Sequence, residues 1–154
     1  MSIEVGQLAP DFSLKDQHGQ VVTLSQFRGK HVVLMFFPFA FTGICTRELC
    51  AIRDEAADFV NDDVQTISVS CDASPTLKNF ADTEGFTHPL LSDFWPHGEV
   101  SRAYGVFLEE RGMATRGTFI IDREGVVRWC VVNSPGDARS NDEYRAALAA
   151  ITAG

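Results

Sequence analysis

The residues best suited to chemistry in this chain lie in one run, Pro38-Phe39-Ala40-Phe41-Thr42-Gly43-Ile44-Cys45. An apolar stretch ends at Pro38, a short loop follows, and Cys45 is expected in the first turn of a helix that opens after Thr42 and Gly43. The first N–H groups of a helix have no internal partner and carry the positive end of its macrodipole. A thiolate held there is favoured over the thiol, as a sulfur nucleophile at neutral pH requires. Attack also needs alignment with the bond to be broken, and stabilisation of the departing atom as it gains negative charge. Thr42 can bring a hydroxyl near both the sulfur and the atom attacked, and Pro38 can shield the pocket from water. The cation must come from elsewhere, and Arg116 is the candidate, its guanidinium fork suited to holding two oxygens. Glu48, one turn beyond Cys45, is placed to orient it. Gly43 is expected to permit close backbone approach at the helix entry.

The elements that must position these residues can be read from periodicity. Pro10–Leu14 and Val21–Leu24 alternate around a polar, glycine-containing turn and predict a β-hairpin. Val32–Phe37 is a continuous apolar run of the kind buried on both faces of a central strand, with Phe36 and Phe37 directed to opposite faces. Leu49, Ile52, Ala56 and Phe59 fall on one face of a single helix. Val64–Ser70 is β-branched and reads as a second central strand. Ser74, as a cap, and Pro75, at the first helical position, open another helix that stops at Gly85. Further on come a short extended Pro89–Ser92, a short helix Val100–Tyr104 and a hairpin of Thr118–Asp122 with Val126–Val131. A terminal helix follows over Asn141–Ile151. The order predicts an α/β sandwich, a central mixed β-sheet flanked by helices with an N-terminal β-hairpin. No repeat or linker interrupts it, so residues 1–154 read as a single domain.

Composition narrows the function classes. A formal net charge of −8 disfavours a nucleic-acid partner, which needs a clustered basic face. The longest apolar run, Val32–Phe41, falls short of the roughly 20 residues that span a bilayer. The N-terminus lacks the basic and apolar regions of a signal peptide, so a cytoplasmic protein without a membrane partner is expected. Stable disulfides do not persist in that compartment, which makes Cys45, Cys50, Cys71 and Cys130 fillers, ligands or reactive thiols. A zinc site would need a second close Cys or His pair, and none accompanies Cys45 and Cys50. No cofactor is called for. Cys71 and Cys130 read as packing residues, and His18, His31, His88 and His97 as surface or loop histidines.

The pattern P-x-x-x-T-x-x-C from Pro38 to Cys45 resembles the signature of the peroxiredoxins, and Arg116–Asp122 resembles their arginine-bearing strand. The likeness runs from Gly6 to Gly136, and Phe36–Cys45 and Leu90–Gly98 are most similar to the alkyl hydroperoxide reductase E type. The resemblance implies a thioredoxin-like three-layer sandwich, a homodimer and a peroxidase acting on hydrogen peroxide and organic hydroperoxides. It further implies a sulfenic acid on Cys45, with Pro38, Thr42 and Arg116 around the peroxide. A thiol reductant is needed to close the cycle: thioredoxin, a glutaredoxin-like protein or a low-molecular-weight thiol.

Cys50 departs from that type, which runs on one cysteine; its spacing from Cys45 is that of the resolving cysteine in the bacterioferritin-comigratory type. Five residues of α-helix rise about 7.5 Å and turn roughly 140°, leaving the Cα atoms about 8–9 Å apart. A disulfide wants less than about 7 Å. Either the first turn unwinds after oxidation and Cys50 condenses with the sulfenic acid, or Cys50 packs in the core and an external thiol reduces Cys45. Two other functions compete on the same fold. A thiol–disulfide oxidoreductase would want a second cysteine where Glu48 stands. A redox sensor or holdase would need less than a proline, threonine, cysteine and distant arginine.

Overall fold

The computed structural model describes residues 3–153. Seven strands form one mixed sheet: β1 (Ser13–Lys15), β2 (Val21–Thr23), β3 (His31–Phe36), β4 (Val64–Ser70), β5 (Leu90–Ser92), β8 (Arg116–Ile121) and β9 (Val127–Asn133). Their order across the sheet is β2-β1-β5-β4-β3-β8-β9, while β6 (Phe107–Leu108) and β7 (Met113–Ala114) pair separately. The helices are α1 (Gly43–Asp54), α2 (Ala56–Phe59), α3 (Ser74–Glu84), α4 (Glu99–Ala103) and α5 (Asn141–Ala153). None is long and apolar enough to cross a membrane.

The apolar run sits where its composition demands. β3 lies between parallel β4 and antiparallel β8, and every residue of it is buried. Alternation along the pleat sends Val32, Leu34 and Phe36 to one face, with Ile67, Val69, Phe119 and Tyr104. Val33 and Met35 go to the other, against Ile52, Phe59, Ile120 and Tyr144. Phe37 crosses into a third cluster with Leu49, Leu77 and Phe80, so Phe36 and Phe37 divide between faces as expected. Burying each such side chain contributes about 1.5–3 kcal/mol. The register pairs Phe36 with Gly117, which leaves Arg116 beside the point where β3 gives way to the loop leading to α1.

Three local readings need correction. The expected single helix breaks at Glu55, whose φ of −115° and ψ of 30° leave the helical region, and Ala56 and Phe59 belong to α2. Ser74 is inside α3 rather than capping it; Ala73 is the boundary residue and Pro75 follows one position later than expected. Two of the four histidines are buried. His31 opens β3, and His88 bridges elements by pairing its Nε2 with Ser68 Oγ at 2.9 Å. The stop at Gly85 is as read, a left-handed residue with φ 75° that an L side chain would strain.

Candidate active site

The loop from Phe37 to Thr42 turns tightly between β3 and α1. Phe41 takes a left-handed φ of 65°, a conformation costing about 1 kcal/mol for a residue with a Cβ. Its ring rests on Phe80, 5.0 Å away between centroids. Asp72, just beyond β4, anchors the loop: its Oδ2 accepts from the Ala40 N–H at 2.8 Å and from Ser70 Oγ at 2.7 Å. Thr42 is the boundary residue of α1, with extended backbone, and its hydroxyl donates to the Phe39 carbonyl at 2.8 Å. Cys45 therefore lies in the first turn, fully buried in the cluster of Phe37, Leu49 and Leu77.

Cys45, Glu48, Leu49 and Ile52 form the buried stripe of α1. A carboxylate on such a stripe costs several kcal/mol unless it is paired, and here it meets two arginines. Arg116 donates from Nη1 to Glu48 Oε1 at 2.5 Å and from Nε to the Pro135 carbonyl at 2.7 Å. Its Nη2 has no hydrogen-bond partner among the described residues. Arg139, its side chain wholly buried, donates from Nε to Glu48 Oε2 at 2.9 Å and from Nη2 to Oε1 at 2.8 Å. Its Nη1 reaches the carbonyls of Phe36 and Gly117 and the hydroxyl of Thr118. Burial alone pushes the Glu48 carboxyl up, but the hydrogen bonds and charge of Arg139, with the charge of Arg116, hold it below the ordinary carboxylate range. Burial lowers the Arg139 guanidinium, and its bond to Glu48, Tyr144 and the nearby Cys45 together raise it.

A cavity of about 290 Å³ opens beside this cluster, walled by Pro38, Phe39, Thr42, Gly43, Ile44, Met113, Arg116 and Pro135. Its wall is mostly apolar, with the Thr42 hydroxyl and the Arg116 guanidinium as polar side-chain groups. Phe39 belongs to it, whereas Phe41 does not. A Cβ built on Gly43 would meet no atom within 4 Å, so the protein does not crowd that residue and the expected close approach is absent. What glycine leaves open at that position is space beside the cavity. Pro38, Thr42 and Arg116 thus share the cavity wall and Arg116 pairs with Glu48, bringing two separate stretches of chain together, while Cys45, one turn before Glu48 on the same stripe, is fully buried behind the lining residues.

The sequence and the fold have counterparts in known proteins. Residues 5–130 match the model of the AhpC/TSA family. Alkyl hydroperoxide reductase E of Mycobacterium tuberculosis is 53% identical over 152 residues, covering 98% of this chain and 99% of that protein. The chain belongs to the AhpC/TSA family. It is a peroxiredoxin, a thiol-dependent peroxidase. A thioredoxin peroxidase of Echinococcus granulosus is 37% identical over 93% of this chain and 78% of its own length. Among solved structures, peroxidoxin BcpB from M. tuberculosis superposes with a TM-score of 0.86 at 33% identity, covering 97% of this chain and 98% of that one. Enterococcus faecalis AhpC gives 0.89 at 29% identity, over 99% and 93% of the two chains. The fold is that of the thioredoxin-like peroxiredoxins.

Arg139 is the site residue that sequence reasoning missed in this peroxiredoxin. It stands in a polar loop before α5, where no periodicity distinguishes it. The available signal was indirect: Glu48 occupies a position on the apolar stripe of its helix, three residues after Cys45, and a carboxylate so buried calls for more than one donor. Cys50 is half-buried on the same unbroken helix, and its thiol donates to Glu84 Oε2 at 3.6 Å. Burial pushes the Cys71 thiol up to about 11 and also raises that of Cys130, so both are protonated at neutral pH.

Proposed function

We propose that Cys45 is the peroxide-reducing sulfur and that Thr42, Pro38, Arg116 and Glu48, with Arg139, serve its single oxidation step. The observation that carries this reading is the buried charge set. Arg116 and Arg139 bring two positive charges to Glu48's one negative charge, and a thiolate on Cys45 brings the sum to zero. In the reaction the Cys45 thiolate attacks one peroxide oxygen. The S–O bond forms as the O–O bond breaks, sulfur is oxidised to sulfenic acid, and the other oxygen leaves as alkoxide or hydroxide and takes up a proton. Thr42 has its own hydroxyl proton directed at Phe39, so its oxygen is left to accept from the peroxide O–H. Arg116, with its unpaired Nη2, stabilises the oxygen that gains charge. Pro38 and the apolar wall keep bulk water out and admit an alkyl group beside the hydroperoxide.

Cys50 then resolves the sulfenic acid as an intramolecular disulfide, once the first turn of α1 unwinds, and an external thiol regenerates both sulfurs. Thioredoxin, a glutaredoxin-like protein and small thiols are the candidate reductants, and the cytoplasm, which supplies them, is the expected compartment. Residues 1–154 act as one unit, paired as a homodimer. A thiol–disulfide exchanger is disfavoured because Glu48, in the place of its second cysteine, is locked by two arginines.

Stopped-flow oxidation of pre-reduced protein by hydrogen peroxide and an alkyl hydroperoxide tests the assignment. Cys45→Ser is expected to abolish the fast phase and Arg116→Ala to slow it by about 10²-fold or more. Cys50→Ser keeps the phase and loses the bridge. A fast phase surviving in Cys45→Ser assigns the chemistry to another sulfur.

A further inference from the structure

The oxidation step leaves unused a cluster on the far side of α1. Cys50 donates its thiol proton to Glu84 Oε2 at 3.6 Å. Arg53, three residues further along α1, donates from Nη1 to the Glu84 carbonyl at 2.5 Å, and its guanidinium lies 3.9 Å from Glu84 Oε2. Glu84 is the last residue of α3, held there by the left-handed turn at Gly85. The same helix that must unwind for a Cys45–Cys50 bridge is therefore tied, at Cys50 itself, to the end of a neighbouring helix.

We propose that Glu84, assisted by Arg53, is a positioning residue that keeps Cys50 as a thiol on folded α1. It thereby sets how the oxidised enzyme divides between bridge formation and a second oxidation. The inference rests on Cys50 being the resolving cysteine. A carboxylate accepting an S–H bond favours the thiol, because a thiolate in the same place would face a like charge. The charged groups that face Cys50 are Arg53 and Asp54 from α1 and Glu84 from α3, and it also packs against the apolar cluster that includes Leu49 and Phe80. Burial pushes this thiol up, Arg53 pulls it down, and Glu84 and Asp54 push it up again, for a net rise. Asp54 also pairs with Arg53 at 2.9 Å, which dilutes the pull of that arginine.

Two steps compete for the sulfenic acid. In the first, Cys50 leaves Glu84, loses its proton to water and attacks the Cys45 sulfur. The S–S bond forms, the S–O bond breaks, and the departing hydroxide is protonated to water. In the second, the oxidised Cys45 sulfur attacks another peroxide molecule. The O–O bond breaks, an alcohol or water leaves, and Cys45 becomes a sulfinic acid. The clamp retards only the first, so it lengthens the life of the sulfenic acid and raises the share lost to sulfinic acid.

Glu84→Gln keeps the shape and an acceptor oxygen while removing the charge. Reduced protein is mixed with peroxide, quenched with an alkylating agent at set times and analysed by mass spectrometry across a pH series. Bridge formation is expected to be about threefold faster at neutral pH in Glu84→Gln, with its rise displaced to lower pH. The Cys45 oxidation rate should be unchanged and the sulfinic share smaller by a similar factor. Arg53→Met, which removes the opposite charge, should displace the pH profile the other way. An unchanged profile in Glu84→Gln overturns the clamp, and so does a slower bridge, which would make Glu84 a proton acceptor instead. Absence of the bridge in the wild type, with Cys50→Ser turning over equally well, would instead remove the resolving role beneath it.

Discussion

Glu48 is the residue on which two buried arginines depend, and its removal should be felt in stability before it is felt in chemistry. Glu48→Gln leaves Arg116 and Arg139 without their counter-ion, and a broken buried pair of this kind costs about 3–5 kcal/mol. Urea denaturation near neutral pH measures that loss. Because the folded carboxyl is held below its ordinary range, its contribution is complete above the unfolded value of roughly 4.3 and is lost as pH falls through the folded value. The gap between wild type and variant should therefore narrow in acid; a gap constant with pH would mean that Glu48 acts through packing rather than charge. The residues legible beforehand were those whose types announce themselves at fixed spacing: Pro38, Thr42, Cys45 and, one turn on, Glu48. Arg116 could be picked out by its place at the head of a buried strand. Arg139 could not, since its partners are a carboxylate 91 positions away, main-chain oxygens and the Thr118 hydroxyl, none of which leaves a trace in local sequence. Arg139→Met should slow Cys45 oxidation by unseating Glu48 and, through it, Arg116. Stopped-flow traces matching wild type would confine Arg139 to a role in stability.

At the scale of elements, strands were more legible than helix ends. β3 and β4 are continuous apolar or β-branched runs whose burial on both faces leaves one period possible, whereas the break at Glu55 and the start of α3 depend on single backbone angles. The burial of His88 was also hidden, because only the assembled fold brings it to Ser68 on β4. There Gln17 donates to the His88 carbonyl at 3.0 Å and accepts from the Leu90 N–H at 2.8 Å, joining the hairpin turn to β5. Burial lowers the His88 imidazole to about 4. The unfolded chain takes up a proton near the ordinary value of about 6.5 while the folded chain stays neutral. Stability should accordingly decline as pH drops from about 6.5 to about 4, by up to roughly 3 kcal/mol, and flatten below. Thermal unfolding of wild type and His88→Gln over that window checks this, since the variant should lack the slope. Gly117 couples an element to the site: a Cβ there would lie 2.7 Å from Val106 Cγ1. Gly117→Ala should shift the start of β8, costing about 1–3 kcal/mol and displacing Arg116 from the cavity. Wild-type oxidation rates in that variant would show that β8 absorbs the methyl group without moving the arginine.

Across the molecule as a whole, the feature the catalytic cycle does not account for is exposed aromatic surface. Trp95 is 80% exposed and Phe94 and Phe41 each 50%, next to Phe39, which is 36% exposed and also walls the cavity. They are linked through the segment after β4. Asp72 holds the Phe39–Phe41 loop by its bond to Ala40, and Ala73, Ser74 and Pro75 share the wall of a 590 Å³ depression with Phe94 and Trp95. Exposed aromatic side chains mark interaction sites in soluble proteins, and a second copy of the chain is the partner that the proposed homodimer would supply. Each copy carries a formal charge of −8, so like charge opposes pairing while aromatic burial favours it. Salt separates the two effects, because added ions screen the repulsion and leave apolar burial intact. Association measured by sedimentation equilibrium should therefore tighten as ionic strength rises, and Trp95→Arg should shift the protein to monomer while Cys45 still reacts with peroxide. An interface built on ion pairs would weaken with salt instead, and a wild-type protein that stays monomeric at high concentration would leave this aromatic surface without the partner assigned to it.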